Sequence, residues 1–266
     1  MFREGRPLTF EEKIYVEERR NRILEIIQKK NRVSVAELSK EFNLGEITIR
    51  RDLSELEERG LIRRTHGGAI PIDNGLDEPP LKEREMRNRS QKERIAQFVA
   101  QLIRNGESIM IDGGSTTLQI AKHLRMKKDL TIVTNSMSLA DEFMNFNECN
   151  VIVCGGELRR STGMMIGSIT ERTLRLFRAD RVIIGMSSMM PEEGLFTVNA
   201  GEAECKRIMM ECGKEIIVVM DSSKINKVSF SFVSDFSKVD KFITDDGISD
   251  DIVTKLDQAG VEVIVV

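Results

Sequence analysis

The chain has 266 residues, which is long enough for two domains with separate hydrophobic cores. Hydrophobic residues make up 40% of it and charged residues 31%, as in an ordinary globular protein, and no segment approaches the roughly 20 apolar residues of a membrane-spanning helix. The net charge of −3 argues against a general nucleic-acid binder, so any DNA contact must come from cations clustered on one face.

The N-terminus and the cysteines both indicate a cytoplasmic protein. Residues 1–16 are polar and charged and contain no apolar signal-peptide region, so we expect a frayed lead-in. The cysteines contain no C-x-x-C pair and only two histidines are present, so no metal site or other cofactor is expected. We expect reduced, buried thiols at Cys149, Cys154, Cys205 and Cys212.

Residues 17–60 carry helical periodicity in three segments. The second helix is predicted to begin at Ser34, because a serine followed three residues later by Glu37 forms a capping box. The third is predicted from Glu46 to Arg59, with an apolar stripe that faces the core at Ile49, Leu53 and Leu56. Ile47, Arg51 and Ser54 then face outward, with Thr48 and Arg50 beside them, as on a recognition helix in the major groove.

Residues 61–70 are predicted to form two short strands around His66 and Gly67, as in the wing of a winged helix-turn-helix. Arg63 and Arg64 could reach DNA phosphates from this hairpin. The alternative is a small helical bundle that binds a protein and carries a solvated basic face. The turn, the helix and the wing together favour DNA binding.

Residues 71–80 are rich in turn-forming and acidic residues and indicate a domain boundary. Beyond Gly106, short apolar strands alternate with amphipathic helices, which predicts an α/β domain with a largely parallel sheet. The predicted strands are 108–111, 130–133, 151–154, 181–185, 215–220, 241–244 and 261–266. Residues 189–194 carry methionines that look exposed, and we expect a loop over a pocket or plain surface.

The loop after the first of these strands predicts an anion site. Asp112 is followed by Gly113 and Gly114, which let the backbone approach a ligand, and a helix begins at Ser115, Thr116 and Thr117. No Walker or dinucleotide motif is present, so the phosphate of a small metabolite suits this loop better than a nucleotide. The alternative is a glycine turn with a Ser/Thr helix cap.

Other loops at the carboxyl ends of the strands add polar groups where ligands bind in parallel sheets. These residues are Asn135, Ser136, Gly155, Gly156, Glu202 and Lys224. Together they could hold a phosphate and the hydroxyls of a sugar, whereas each alone is more often structural. Lys224 and Asp221 could simply form a surface ion pair.

The segment from Val33 to Ile70 resembles the DNA-binding domain of the DeoR family of bacterial regulators. The TIRRDL core, the L-x-x-x-G that follows and the R-x-H-G-G wing match in order and spacing. Gly45 departs from the family, which usually has a small hydroxyl residue or alanine there, and glycine caps a helix less well. Within a helix-turn-helix from Ser34 to Leu53 and its wing, the resemblance implies DNA contacts by Ser34, Glu46, Ile47, Thr48, Arg50, Arg51, Ser54, Arg63, Arg64, His66 and Gly67.

Residues from about 90 to 266 are similar to the DeoR-family sensor domain through DGGSTT, TNS, CGGELR, GLFTVN, GEAE and DSSK. That domain resembles sugar-phosphate isomerases of the ribose 5-phosphate type. The resemblance implies an effector site with the phosphate on residues 114–117, and with Asp112, Glu202 and Lys224 on hydroxyls or a carbonyl. The other implied effector residues are Gly113, Asn135, Ser136, Gly155 and Gly156.

These observations predict a lead-in at 1–16, a winged helix-turn-helix at 17–72, a linker at 73–90 and a sensor domain at 91–266. The expected function is a homo-oligomeric regulator, a dimer or tetramer, that binds double-stranded operator DNA. Like most of the family, it would repress a sugar operon until a sugar phosphate releases it. The alternatives are a phosphosugar isomerase with an appended DNA-binding head, and a protein-binding module without a ligand.

Overall fold

The computed structural model describes residues 10–30, 33–59, 61–65, 67–71, 78–146 and 148–266. The chain divides into two compact units, Met1–Asp73 and Asn74–Val266. The division falls beside the predicted end of the DNA-binding domain at residue 72. Within the described part of the chain, no helix is long and apolar enough to cross a membrane.

The first unit contains helices packed against a three-stranded antiparallel sheet in which β3 is the middle strand. Its elements are α1 (Phe10–Lys30), β1 (Val33–Ser34), α2 (Val35–Phe42), α3 (Glu46–Glu58), β2 (Ile62–Thr65) and β3 (Gly68–Pro71). Residues 10–16, predicted as a frayed lead-in, form the first turns of α1. Their glutamates and lysine are strong helix formers, so charge does not oppose the helix there.

The core of this unit is built from the stripes that helical periodicity predicts. Ile49, Leu53 and Leu56 of α3 are buried and pack with Ile23 and Ile27 of α1. The wing hairpin of β2 and β3 closes over the same core. Gly68 is required there, because a Cβ atom at this position would lie 1.9 Å from the carbonyl oxygen of Val33.

The second unit has two helical segments followed by alternating strands and helices. Its elements are α4 (Leu81–Met86), α5 (Arg89–Leu102), β4 (Ser108–Ile111), α6 (Ser115–His123), β5 (Leu130–Thr134), α7 (Met137–Phe143), β6 (Cys149–Val153), β7 (Glu157–Arg159), β8 (Met164–Ile166), α8 (Ser168–Leu174), β9 (Ala179–Gly185), β10 (Ser188–Met190), β11 (Gly194–Thr197), α9 (Ala200–Cys212), β12 (Gly213–Val219), β13 (Ser231–Ser234), β14 (Lys241–Thr244), α10 (Asp250–Gln258) and β15 (Glu262–Val265).

A seven-stranded sheet forms the centre of this unit, in the order β15-β14-β12-β9-β4-β5-β6. All of its pairs are parallel, and it contains all seven predicted strands. Apolar clusters cover both faces, as a parallel sheet connected by helices requires. The α/β fold class predicted from the alternation is therefore confirmed.

Two smaller antiparallel sheets were not predicted: β7 pairs with β8, and β11 lies between β10 and β13. Residues 189–194, expected as a loop with exposed methionines, form the end of β10, a turn and the start of β11. Met189 is fully buried in the core. That expectation was wrong because a methionine beside charged residues gives no indication of which way it points.

The second half of the predicted linker at 73–90 is not a connection between domains. Residues 81–86 form α4, α5 begins at Arg89, and both belong to the second unit. Leu81 packs against the core on one face of the sheet. Residues 72–77 lie outside the described residues. Of the cysteines, Cys154, Cys205 and Cys212 are buried as expected, while Cys149 is half-buried.

Candidate DNA-contact surface and effector pocket

The helix-turn-helix begins with the predicted capping box at the start of α2. Ser34 Oγ accepts a hydrogen bond from the backbone N–H of Glu37 at 3.1 Å, and Glu37 Oε2 accepts one from the N–H of Ser34 at 2.7 Å. The turn between α2 and α3 places Asn43 in the left-handed region, with a φ of 51°. Because its hydroxyl caps the helix, the local role of Ser34 is to fix the start of α2.

The start of α3 lacks a side-chain cap, as glycine at position 45 predicts. The carbonyl of Gly45 accepts a hydrogen bond from the N–H of Thr48 at 2.9 Å. Glu46 and Arg50 form an exposed ion pair of 3.1 Å along the first turn. The helix therefore begins at Glu46 as expected, and the exposed pair adds little to its stability.

The outer face of α3 presents the side chains predicted to read DNA. Ile47 is 85% exposed, which is unusual for an isoleucine in a small domain. Arg51 is exposed and forms no ion pair with any residue that the structure describes. An apolar side chain and an unpaired guanidinium on one face of a helix match the methyl group of thymine and the acceptors of guanine in the major groove.

Ser54 and Arg64 connect the recognition helix to the wing. Ser54 Oγ accepts a hydrogen bond from Arg64 Nη1 at 2.7 Å and donates one to the carbonyl of Arg50 at 3.0 Å. The wing backbone at Arg64 is also held by the carboxylate of Glu57 at 2.7 Å. Gly67 is an exposed turn residue, while His66 and the side chain of Arg63 lie outside the described residues.

Asp52 was not singled out from the sequence, although it orients the recognition helix. It is 2% exposed, and its carboxylate accepts hydrogen bonds from Arg19 at 2.7 and 3.0 Å and from Arg20 at 3.1 Å. This buried ion cluster joins α3 to α1. The sequence offered one signal: Asp52 lies on the apolar side of α3, next to Leu53.

The candidate effector pocket lies in the second unit, at the carboxyl end of β4. Gly113, Gly114, Ser115 and Thr116 line it together, as the sequence predicts. Gly114 provides no side-chain cap at the start of α6, and no described side chain binds the first N–H groups of this helix, which are the kind of groups that bind anions in proteins. The hydroxyl of Thr116 is buried and has no hydrogen-bond partner among the described residues. Thr117 turns away and donates to the carbonyl of Gly114 at 3.0 Å.

Glycine at position 113 is needed for packing beneath the pocket. A Cβ atom there would lie 2.6 Å from Met164 and 2.8 Å from Ser136. Ser136 caps α7 by accepting the N–H of Leu139 at 3.3 Å. The loop after β5, which contains Ser136, therefore packs directly against the turn at Gly113.

Asp112 is fully buried and binds Lys206, a lysine on α9 that was not predicted as a site residue. The Lys206 ammonium also donates to the carbonyl of Gly185 at 2.8 Å, and the N–H of Gly185 donates to Asp112 Oδ1 at 2.9 Å. These bonds join the ends of β4 and β9 to α9. Both carboxylate oxygens of Asp112 are therefore hydrogen-bonded, one to Gly185 and one to Lys206. Asp112 thus shapes the pocket through Lys206, which lines it.

Glu202 lines the pocket at the first turn of α9 and is 2% exposed. Its Oε1 accepts hydrogen bonds from Arg159 Nη1 and from Thr162 Oγ1, both at 2.7 Å. Asn199 caps the helix by accepting the Glu202 N–H at 3.1 Å. The carboxylate is therefore held in place through Oε1, and the structure gives its second oxygen no hydrogen bond with a described residue.

Lys224 is half-buried at the edge of the pocket and donates a hydrogen bond to the carbonyl of Met186 at 2.9 Å. Burial lowers the pKa of this ammonium to about 8, against the opposing effect of Asp221, and the positive charges of Arg84 and Lys92 lower it further. A bound anion would favour the charged form. Lys224 is thus an ammonium that gains from a negatively charged ligand.

Arg84, which falls in the predicted linker, also lines the pocket. Its Nη1 pairs with Glu78 Oε1 at 2.6 Å, while its Nε and Nη2 are buried without a hydrogen-bond partner among the described residues. Lys92 is 2% exposed and donates to the carbonyls of Arg84 and Arg87 at the end of α4. Lys92 therefore positions the helix that carries Arg84.

The structure does not place Asn135, Ser136, Gly155 or Gly156 on the lining of this pocket. Asn135 donates to the carbonyl of Met165 at 2.8 Å and so holds β8. The carbonyl of Gly155 accepts from Thr170 Oγ1 at 2.8 Å, and a Cβ atom at Gly156 would lie 2.0 Å from the same oxygen. These residues give the surrounding loops their shape.

Comparisons with known proteins agree with this organisation. The family model for the DeoR-like helix-turn-helix domain matches residues 19–74, and the model for the DeoR C-terminal sensor domain matches residues 87–246. The HTH-type transcriptional regulator GlpR of Haloferax volcanii is 36% identical over 249 residues, which cover 93% of this chain and 96% of that protein. The glycerol-3-phosphate regulon repressor of Escherichia coli K12 is 35% identical over 228 residues, 86% of this chain and 90% of that one.

Among solved structures, ribose 5-phosphate isomerase A of Methanocaldococcus jannaschii is similar at 16% identity and a TM-score of 0.37, over 52% of this chain and 55% of that chain. The two family models together cover most of the chain, and the two named relatives match nearly their whole length. Both relatives are transcriptional regulators, which favours the regulator over the isomerase alternative. The chain belongs to the DeoR family of DNA-binding transcriptional regulators.

Proposed function

We propose that this protein represses genes of sugar metabolism and that a phosphorylated sugar binds the pocket beside α6 and releases the protein from DNA. The repressor role follows the relative whose name places it on the glycerol-3-phosphate regulon. Recognition of the operator is assigned to Ile47 and Arg51, which are exposed on α3.

The observation that carries the effector proposal is the set of unsatisfied donors in one pocket. Thr116 Oγ1 and the Nε and Nη2 atoms of Arg84 are buried without partners among the described residues, next to the free N–H groups of α6. Buried polar groups are almost always hydrogen-bonded, so these donors indicate a ligand with several acceptor oxygens. A phosphate group has that geometry and charge.

Two other residues that line the pocket suit the rest of a sugar. The Glu202 carboxylate can accept hydrogen bonds from sugar hydroxyls, and Lys224 can donate to a hydroxyl or carbonyl oxygen. A phosphate at α6 and hydroxyls at Glu202 describe a small phosphorylated polyol or sugar. A free sugar would leave the donors of Arg84 and Thr116 unpaired, and we expect it to bind poorly.

A thermal-shift screen against sugar phosphates and the matching free sugars tests this proposal. A ligand at 100 times its dissociation constant should stabilise the protein by about 2.7 kcal/mol. We expect at least one phosphorylated compound to raise the melting temperature while its free sugar does not. Equal shifts by both members of each pair would contradict a phosphate site.

We further propose that the pocket binds its effector without converting it. A carboxylate and a lysine in one pocket could move a proton next to a carbonyl, but Asp112 and Lys206 are bound to each other and Glu202 is held by Arg159. Incubation of the purified protein with pentose and hexose phosphates tests this. Accumulation of an isomer would revive the enzyme alternative.

We also propose that the protein acts as a homo-oligomer, since paired half-sites require two DNA-binding heads. The start of β13 and the residues just before it support this proposal. Val228, Phe230 and Phe232 are exposed there, while the alternating Ser229 and Ser231 are buried. An apolar outward face of this kind indicates a covering partner. Sedimentation equilibrium should give a dimer or larger, and Phe230→Ser should shift it toward the monomer. A monomeric wild-type protein would contradict the proposal.

A further inference from the structure

The pocket contains a second carboxylate of the protein besides Glu202. The side chain of Glu78 is 5% exposed and lines the same pocket as Gly114 and Thr116. Its Oε1 lies 2.6 Å from Arg84 Nη1, and its Oε2 lies 2.5 Å from Arg159 Nη1. Glu78 thus bridges two guanidinium groups, as the anionic oxygens of a phosphate would.

Glu78 binds only one of the three nitrogen atoms of the Arg84 guanidinium group. Glu78 uses Nη1, while Nε and Nη2 have no partner among the described residues. Nε and one terminal nitrogen form the fork with which arginine binds a phosphate through two parallel hydrogen bonds. A phosphate seated on that fork would lie on the same guanidinium as Glu78, so the two anions would repel each other in a site with little water.

The charges of the site lead to the same conclusion. The pocket and the residues paired with it contain five cations and four carboxylates, which are Lys92, Arg84, Arg159, Lys206 and Lys224, and Glu78, Asp112, Glu202 and Asp221. The excess of one positive charge is too small for a doubly charged phosphate. If Glu78 leaves, the excess becomes two, which matches the dianion.

We infer that Glu78 is an internal counter-anion that occupies the Arg84–Arg159 pair and is displaced by the phosphate of the effector. The inference rests on the proposed function of this pocket and adds a competing residue to it. Glu78 lowers the affinity for phosphate and holds the chain ahead of α4 in the effector-free state. It lies four residues after Asn74, where the second unit begins.

The local backbone transmits the displacement of Glu78 to α4. Pro79 and Pro80 follow Glu78, and the carbonyl of Pro80 accepts the N–H groups of Glu83 at 3.0 Å and Arg84 at 3.1 Å. Two consecutive prolines restrict the backbone, so the Glu78 side chain and the start of α4 move together. Release of Glu78 should therefore loosen the first turn of α4.

The experiment compares Glu78→Gln with Glu83→Gln in the full-length protein. Glu83 is an exposed residue of α4 that pairs with Arg87, so its substitution removes the same charge without touching the pocket. Isothermal titration with inorganic phosphate measures affinity, and hydrogen exchange reports the amides of Glu78 and of residues 81–87, because Pro79 and Pro80 have no N–H. Glu78→Asp keeps the charge and serves as a second variant, with melting curves to establish that each protein is folded.

We expect Glu78→Gln to bind phosphate at least about ten-fold more tightly than the wild type, because a like charge next to the site is removed. Glu83→Gln and Glu78→Asp should stay close to the wild type. The amides of residues 78 and 81–87 should exchange faster in Glu78→Gln without phosphate, and in the wild type only after phosphate is added.

Unchanged or weaker phosphate binding by folded Glu78→Gln would overturn the inference about Glu78. It would not contradict the proposal that the pocket binds phosphate. Weaker binding would show instead that Glu78 positions Arg84 and Arg159 for the anion. If neither the wild type nor Glu78→Gln binds phosphate or any sugar phosphate, the proposed function fails and this inference fails with it. The two failures are therefore distinguishable.

Discussion

The ammonium of Lys206 contacts the carboxylate of Asp112 at the carboxyl end of the parallel sheet, and both side chains are buried. Removing one partner of a buried ion pair leaves an uncompensated charge, whereas removing both can be nearly neutral. We predict that Lys206→Met lowers the free energy of unfolding by about 3–5 kcal/mol, measured by urea denaturation.

The double variant Asp112→Asn/Lys206→Met should recover most of that loss, because no buried charge remains. Lys214→Met, which breaks the exposed pair with Asp180, is the control and should leave stability nearly unchanged. A double variant as unstable as Lys206→Met would show that the pair is needed for its shape and not for its charge balance.

In the DNA-binding unit, Asp52 holds α3 against α1 through Arg19 and Arg20. We predict that Asp52→Ala reduces the local stability of this unit by about 3 kcal/mol, since two guanidinium groups lose their carboxylate. Hydrogen exchange of amides 46–58 in the full-length protein would measure the loss. Glu46→Gln, on the exposed side of the same helix, should leave this exchange nearly unchanged. Equal protection in Asp52→Ala and the wild type would contradict the assigned role.

The exposed residues of α3 should affect DNA binding without affecting stability. We predict that Arg51→Ala costs about 1–3 kcal/mol of specific binding if it grips a guanine, and that Ile47→Ala also weakens specific binding. Fluorescence anisotropy with a selected operator and with random DNA would separate the two kinds of contact. An equal loss on random DNA would show that Arg51 contacts phosphate only. Arg50→Ala, which breaks the ion pair between Arg50 and Glu46, is measured on the same two DNAs for comparison with Arg51→Ala.

Lys224 predicts how effector binding depends on pH. Burial lowers its pKa to about 8, so the free protein loses this positive charge as the pH rises through 8, while an exposed lysine keeps it to above 10. Phosphate affinity should therefore fall between pH 8 and about 9.5, where phosphate itself stays doubly charged. Well below pH 8 the ammonium is fully charged, so Lys224 adds no further pH dependence there.

Lys224→Arg provides the control, because arginine stays charged throughout this range. Its phosphate affinity should be flat across pH 8–9.5 in the same calorimetric titration. A wild-type affinity that is equally flat would show that the charge of Lys224 does not act on the bound anion.

The central sheet could be predicted from the sequence because its strands are continuous apolar runs. Strands 108–111 and 241–244 were predicted at their observed bounds, and the other five within two residues at each end. The antiparallel sheet of β10, β11 and β13 was missed because the usual burial of apolar residues and exposure of polar ones is reversed on β13. Phe232 is exposed there while Ser231 is buried. Only the position of α9 beneath that strand determines which side is the inner one.

The pocket could be predicted in part, for a related reason. Glycines and hydroxyl residues after a strand indicate a helix start, so Gly114 and Thr116 were identified. Arg84 and Glu78 were missed because a segment rich in acid and proline resembles a linker. Lys206 and Asp52 were missed because a charged residue in a helix is usually solvated. Their burial depends on neighbours distant in the chain.

Release of the protein from its operator by a sugar phosphate is tested most directly by measuring the operator affinity of the full-length protein. The affinity is measured with and without each phosphorylated compound that raises the melting temperature. The operator would first be selected from random DNA, and the matched free sugars and Thr116→Val would serve as controls. We predict that one sugar phosphate weakens operator binding at least about ten-fold, a coupling free energy of about 1.4 kcal/mol, and that Thr116→Val reduces this response. Operator affinity that stays the same with every compound that binds the pocket would contradict the proposed regulation.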